Sequence, residues 1–183
     1  MQIEQTGLEG LLVLTPKVFE DERGFFLESY NETVFTRLGL TVHFVQDNHA
    51  RSEQAGVLRG LHFQRPPFAQ SKLVWVTRGA VYDVAVDMRA DSSTYGQWFS
   101  CRLDERNRKR LFVPHGFAHG YMTLEPGTEF QYKVDNFYSP EHDGGIRWND
   151  PDLYISWPDQ QPILSAKDTV LPFLRDFVSP FTL

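Results

Sequence analysis

Residues 128–134 alternate without a break. Phe130, Tyr132 and Val134 fall on one side, and Glu129, Gln131 and Lys133 on the other. Only an extended strand puts residues i and i+2 on a common face, so this run predicts a strand with one buried and one wet face. The same period recurs at Tyr82, Val84, Val86 and Met88, which alternate with Val81, Asp83, Ala85 and Asp87. Further strands are expected over Gly10–Thr15, Phe25–Tyr30, His43–Asn48, Val57–Gln64, Lys72–Thr77, Tyr95–Leu103, Leu111–Val113 and Gly120–Leu124. The helical signal is thin. Asn31 can cap a short helix through about Leu38, with Gly39 as its stop, and Ser165-Ala166-Lys167-Asp168 resembles a second helix start. Many short strands with so little helix point to an all-β sandwich or barrel. A jelly roll is the natural form, because it closes most strand edges.

The chain has 183 residues, enough for one domain with a full core and too few for a second. Its net charge is -6 and no Lys/Arg block appears, which argues against a nucleic-acid surface. A few arginines in a cleft could still hold an anionic small molecule. The one cysteine, Cys101, cannot form an internal disulfide, which suits a reducing compartment. The N-terminus, MQIEQTGLEG, has no basic region followed by an apolar run, and no stretch approaches about 20 apolar residues. No membrane partner and a cytoplasmic location are expected.

In Val57–Gln64, strict alternation places Arg59 and His62 on opposite faces. Gly60 lies between them, and a bulge there would turn both to the same side. Taken alone, the pair reads first as a core histidine and a surface arginine, because histidine is often partly buried for packing. Pro114-x-Gly116-x-x-His119 resembles the second half of the cupin signature, but the earlier strand reads His62-Phe63-Gln64 where metal-binding cupins carry His-x-His. Two imidazoles make a poor transition-metal site, so no metal is expected. Tyr132 shares the apolar face of its strand, and its hydroxyl needs either a backbone partner or a ligand. Asp168 is either a helix-start carboxylate or a partner that orients His62.

Together these motifs form one ordered set. Arg59-Gly-Leu-His62-Phe-Gln64, Lys72-Leu-Val74, Asp83–Arg89, Pro114-x-Gly-Phe-Ala-His119-Gly120, Tyr132-Lys133, Trp148-Asn-Asp-Pro151 and Ser165-x-Lys167-Asp168 closely resemble the dTDP-4-dehydrorhamnose 3,5-epimerase family. The resemblance runs from Phe19 to Asp168. It implies an all-β, cupin-type double-stranded jelly-roll barrel with a few short helices, filling residues 1–183 as one domain. It implies 3,5-epimerisation of a dTDP-4-keto sugar through an enolate, with no cofactor, because the C4 ketone is itself the electron sink.

The resemblance also implies roles. His62 is the base and Asp168 its partner; Tyr132 is the acid on the opposite face; Lys72 is the cation beside the developing O4 charge. Gln46 and Asn48, which share a strand face, contact substrate. Arg59 and Arg23 suit the diphosphate, since guanidinium forks match phosphate oxygens. Glu28, on the face of Phe26 and Tyr30, matches a nucleotide contact, and His119 lines the sugar pocket. Phe19 and Tyr138 sandwich thymine, with Phe19 supplied by the other subunit of a homodimer. Two positions depart from the family pattern: Ala50 stands where serine is usual, and Asp143 where glutamate is common. The shorter Asp143 is expected to lengthen or lose a contact near the base or diphosphate. Three alternatives stay open: an enzyme inverting one carbon only, a ketoisomerase on the same barrel, and a non-catalytic sugar-nucleotide binder.

Overall fold

The structure is a computed structural model that describes residues 1–183. Thirteen strands and one short α-helix follow in the order β1 (Gln2–Gln5), β2 (Leu12–Thr15), β3 (Val18–Asp21), β4 (Gly24–Leu27), α1 (Glu32–Arg37), β5 (Gln46–Ser52), β6 (Leu58–Gln64), β7 (Lys72–Arg78), β8 (Ala80–Asp87), β9 (Trp98–Asp104), β10 (Arg110–Val113), β11 (Phe117–Thr123), β12 (Thr128–Val134) and β13 (Asp143–Gly145). Single 3-10 turns occupy Pro140–His142, Asp168–Val170 and Leu174–Asp176. One sheet has the order β1-β2-β10-β7-β12-β5 and the other β13-β6-β11-β8-β9. The ladders between neighbours are antiparallel. The two sheets form the expected jelly-roll barrel. β3 and β4 pair only with each other, as a separate hairpin.

The barrel interior is packed by alternate residues of both sheets, among them Val13, Val74, Val76, Leu111 and Phe130 from one, and Val81, Ala85, Leu103, Phe117 and Tyr121 from the other. Each such burial contributes about 1.5–3 kcal/mol, so the facing sheets are held mainly by this layer. The outer faces are covered too. Leu12, Leu14, Leu73, Trp75 and Phe112 lie beneath Phe35 of α1 and Leu40. Leu58, Leu61, Phe63, Val84, Val86 and Met88 lie beneath Trp148, Leu153, Trp157 and Phe181 of the C-terminal segment. A sheet covered on both sides needs apolar residues on both faces. That reason overturns the one-sided reading of β8. The face carrying Val81, Asp83 and Ala85 looks into the barrel, and Val84 and Val86 look outward beneath the C-terminal segment.

Other boundaries moved for local reasons. Asn31 caps α1 as expected, its side chain accepting from Val34 N at 3.2 Å, and Gly39 follows with φ 82°. β4 stops at Leu27, so Glu28 lies outside the strand. The strand expected over His43–Asn48 runs instead over Gln46–Ser52, paired along its length with β12. The helix expected after Ser165 is one 3-10 turn. Ser165 Oγ does accept from Asp168 N at 3.2 Å, but Leu171 precedes Pro172 and is extended (φ -60°, ψ 148°), which ends the turn. β1, β3 and β13 carry too little periodicity to be read from sequence. β13 depends on its glycines: a Cβ on Gly145 would lie 2.3 Å from the Leu61 carbonyl, and one on Gly144 2.6 Å from the Phe63 ring.

Candidate active site

Between the two sheets lies a cavity of about 410 Å³. Its wall includes Ala50, Arg59, His62, Lys72, His119, Tyr121, Phe130, Tyr132, Ser165 and Asp168. Strand parity accounts for most of this set. On β7, Lys72 shares the inward face of Val74 and Val76; on β8, Asp83 shares that of Val81 and Ala85. On β6 a bulge does the work. His62 pairs with His119, but Arg59 pairs with Tyr121, so three residues of β6 span two of β11. The extra residue is Gly60, with φ 140°. A Cβ there would come within 2.5 Å of Gly120 Cα, so glycine is required by both conformation and space. The bulge turns Arg59 and His62 to the same side.

His62 Nε2 lies 2.5 Å from Oδ1 of Asp168. The imidazole is 28% exposed and the carboxylate 2%. Asp168 is thus not a solvated helix-start acid. Burial alone would raise its carboxyl, but the hydrogen bond and charge of His62, with help from Ser165 and Lys167, hold it below the usual range. His119 has its own acid: its Nε2 lies 2.8 Å from Oδ1 of Asp83, which is fully buried and whose Oδ2 has no partner. Burial raises Asp83, while His119 and Lys72 pull it the other way. Burial lowers the Lys72 ammonium to about 8, against the opposing pull of Asp143 and Asp83.

Tyr132 is half-buried, and its hydroxyl makes no hydrogen bond to the backbone or to another side chain. Burial raises it, which keeps the phenol protonated near neutral pH. Phe130, two residues earlier, stacks on Tyr121 at 3.9 Å. Gln46 donates to Asn48 at 2.9 Å, on the same strand face as Ala50 in the cavity wall.

At the cavity's edge Tyr138, 54% exposed, donates to Asp143 at 3.3 Å. Asp143 also accepts from Gln64 at 3.3 Å and pairs with Lys167, the neighbour of Asp168. The shorter acid is therefore fully engaged. Phe19, Arg23 and Glu28 stand apart from the cavity. Phe19 and Arg23 ride on the β3–β4 hairpin, where Arg23 turns back onto Asp21 at 2.5 Å. Glu28 accepts from Asn31 at 3.0 Å. Within one chain, these three do not join the other site residues.

The arrangement offers a histidine–aspartate base, an unpaired phenol and a cation around one cavity. A family of sequences described as dTDP-4-dehydrorhamnose 3,5-epimerase matches residues 5–176. The chain belongs to the dTDP-4-dehydrorhamnose 3,5-epimerase family. The Salmonella typhimurium 3,5-epimerase is 52% identical over 176 residues, covering 95% of this chain and 96% of that one. The structure of the Bacillus anthracis 3,5-epimerase with TDP and PPi bound superposes with a TM-score of 0.93 at 51% identity, covering 94% of this chain and 99% of that one. The Legionella pneumophila dTDP-6-deoxy-D-glucose-3,5-epimerase, in complex with dTDP-4-keto-L-rhamnose, gives a TM-score of 0.95 at 42% identity and covers 100% of this chain and 98% of that one.

Sequence reasoning about this epimerase-family chain missed Asp83, Tyr121 and Lys167. The signal for Asp83 was present: an acid between Val81 and Ala85 on an otherwise apolar strand face. Lys167 stood in the Ser165-x-Lys167-Asp168 motif, but its contact with Asp143 joins segments 24 residues apart and could not be read from the motif. No group of three or more His, Cys, Asp or Glu is placed to hold a metal ion. No helix is long and apolar enough to cross a membrane.

Proposed function

We propose that the chain converts dTDP-4-dehydro-6-deoxy-D-glucose to dTDP-4-dehydro-L-rhamnose by inverting C3 and C5. One observation carries the mechanism: His62 projects from the β13-β6-β11-β8-β9 sheet and Tyr132 from the other, so they line opposite walls of one cavity. A sugar ring between them meets a base on one face and an acid on the other.

The C4 ketone acidifies the protons on its two neighbours. His62 takes such a proton with the ring nitrogen not facing Asp168, and the C–H electrons move to O4. Asp168 holds the ring's tautomer and stabilises the imidazolium. The Lys72 ammonium, on the same sheet as Tyr132, stabilises the enolate oxygen. Tyr132 then gives its proton to the carbon from the far face, the C–H bond re-forms with inverted configuration, and the ketone returns. Solvent restores the phenol and accepts the imidazolium proton. No cofactor enters these steps. His119 positions the sugar, and Arg59, at the rim, holds the diphosphate.

We read residues 1–183 as one epimerase domain that works in the cytoplasm as a homodimer. The hairpin supports the dimer: it pairs with no other strand and leaves Phe19 52%, Phe25 58% and Phe26 65% exposed. On this reading Phe19, Arg23 and Glu28 serve the partner's site, where Phe19 and Tyr138 enclose thymine, while Gln46, Asn48 and Asp143 contact nucleotide or sugar. The test is incubation with the 4-keto sugar nucleotide in heavy water. Deuterium at C3 and C5 with the L-rhamno product is expected. Deuterium at one carbon only would indicate a single-centre epimerase, and binding without exchange would indicate a non-catalytic module.

A further inference from the structure

The β3–β4 hairpin poses a mechanical problem. A two-stranded ribbon with four residues per strand is not stable by itself, and this one has no ladder to the barrel. Within one chain, its angle is set by side chains rather than by a ladder. Two arginines from one short stretch meet it. Arg110, on β10, is 2% exposed, and its guanidinium lies 4.8 Å from the ring of Trp75, its cross-strand partner on β7. Its Nη1 donates to the carbonyl oxygen of Ser29, at the exit of the hairpin, and to Ser29 Oγ at 3.3 Å. No carboxylate pairs with it, Nε has no partner, and burial lowers it to about 10. Arg108, two residues earlier, reaches the hairpin body. Its Nη1 is 2.7 Å from Glu20 on β3, and its guanidinium lies 4.0 Å from the Phe25 ring on β4.

A buried arginine without a counter-ion is costly, and a surface ion pair such as Arg108–Glu20 adds little stability. Neither contact is therefore explained as a stabiliser of the barrel. What they share is the hairpin, gripped at its exit by one planar fork and along its body by another. A guanidinium fixes direction as well as distance, which an ammonium does not.

We propose that Arg108 and Arg110 are positioning residues that set the angle of the β3–β4 hairpin and so deliver Phe19 to the nucleotide base in the partner subunit's site. The proposal rests on the homodimer reading above, in which Phe19 stacks on that base.

Steady-state kinetics of four variants test it. R108A removes a partly exposed side chain, so the fold survives; R110K keeps the buried charge and loses the fork. Both are expected to raise KM for the sugar nucleotide about tenfold, within the range for a displaced stacking ring, with kcat within twofold of native. F19A sets the ceiling, and R108A/F19A should match F19A alone, because Arg108 acts through Phe19. Additive effects, or a native KM in both arginine variants beside a raised KM in F19A, would overturn the latch while leaving the stacking reading intact. A native KM in F19A itself would overturn both. Mixed dimers locate the effect. When one chain carries R108A and H62N together beside an unaltered chain, the only working site is covered by the altered hairpin, and KM should rise. When the R108A chain keeps His62 and its partner carries H62N alone, KM should be native. The reverse pattern would show the hairpin serving its own chain and overturn the dimer reading.

Discussion

His62 and His119 stand directly opposite each other on antiparallel strands β6 and β11, and each binds a different buried aspartate through Nε2. The two pairs differ in setting. Asp168 is held below the usual carboxylate range by three groups, His62, Ser165 and Lys167, whereas Asp83 is raised and keeps one oxygen unpaired. The first suits a base that must become cationic during turnover. The second suits a group that stays in place and shapes the field around Lys72.

Loss of the base and loss of the acid should look different. H62N is expected to abolish both turnover and deuterium uptake at C3 and C5, a fall of at least about 10²–10⁴-fold. D168N should slow the same step less severely, leaving the imidazole poorly oriented. Y132F keeps the ring's packing and should fold normally. It should fail to invert while still exchanging protons with retention, because His62 can return a proton to the face it came from. NMR of product made in heavy water separates the cases. Native inversion by Y132F would move the acid elsewhere, with bound water the first alternative.

Lys72 must be protonated to stabilise an enolate, and burial lowers it from 10.5 to about 8. The rate should therefore fall as pH rises through about 8, rather than beyond 10. The same shift has a stability sign. A folded-state pKa below the unfolded value means that the charged form costs stability, fully below about pH 8 and not at all above 10.5. K72M keeps the stem and removes the charge. It should stabilise the protein at pH 7 by up to about 3 kcal/mol, at 1.36 kcal/mol per pKa unit, while abolishing turnover. Denaturant unfolding beside a rate assay checks both halves; a destabilised K72M would mean that the ammonium is well paired when buried.

Asp83 should matter through its neighbours. D83N is isosteric and preserves packing, but removes the charge that supports Lys72 and faces His119. The rate at pH 7 is expected to fall about tenfold or more, as for loss of an aligned electrostatic group, and the alkaline limb to move to lower pH. A pH–kcat profile reads this directly. A profile of native shape would leave Asp83 with packing alone.

The bulge gives a purely structural test. Gly60→Ala places a Cβ 2.5 Å from Gly120 Cα in a backbone conformation that favours glycine. Backbone meets backbone, so no side chain can give way. A loss of about 2–4 kcal/mol is expected, with activity falling as Arg59 and His62 lose their shared side. Thermal unfolding with native stability would show that the bulge tolerates a side chain.

What the sequence determined by itself was local. Period two marked β12 to the residue, because alternation is a property of one strand. Asn31 and Gly39 marked the ends of α1 through their own capping chemistry. Gly60 between Arg59 and His62 signalled the bulge. Tyr132 pointed inward with Phe130 for the same reason of parity. Where an element depended on a distant surface, the sequence was silent or misleading. β8 alternates between two apolar faces, and which one looks inward depended on the C-terminal segment covering the other. β13 exists because Gly144 and Gly145 let the backbone lie against β6. Asp168 reads as a helix start, yet it meets His62 across 106 positions, in a turn cut short by Pro172. Parity and caps act within a few residues of the chain, whereas burial and charge pairing act through space. The site's electrostatics, from the engaged Asp168 to the half-unpaired Asp83 and the lowered Lys72, were decided only when the two sheets closed on one another.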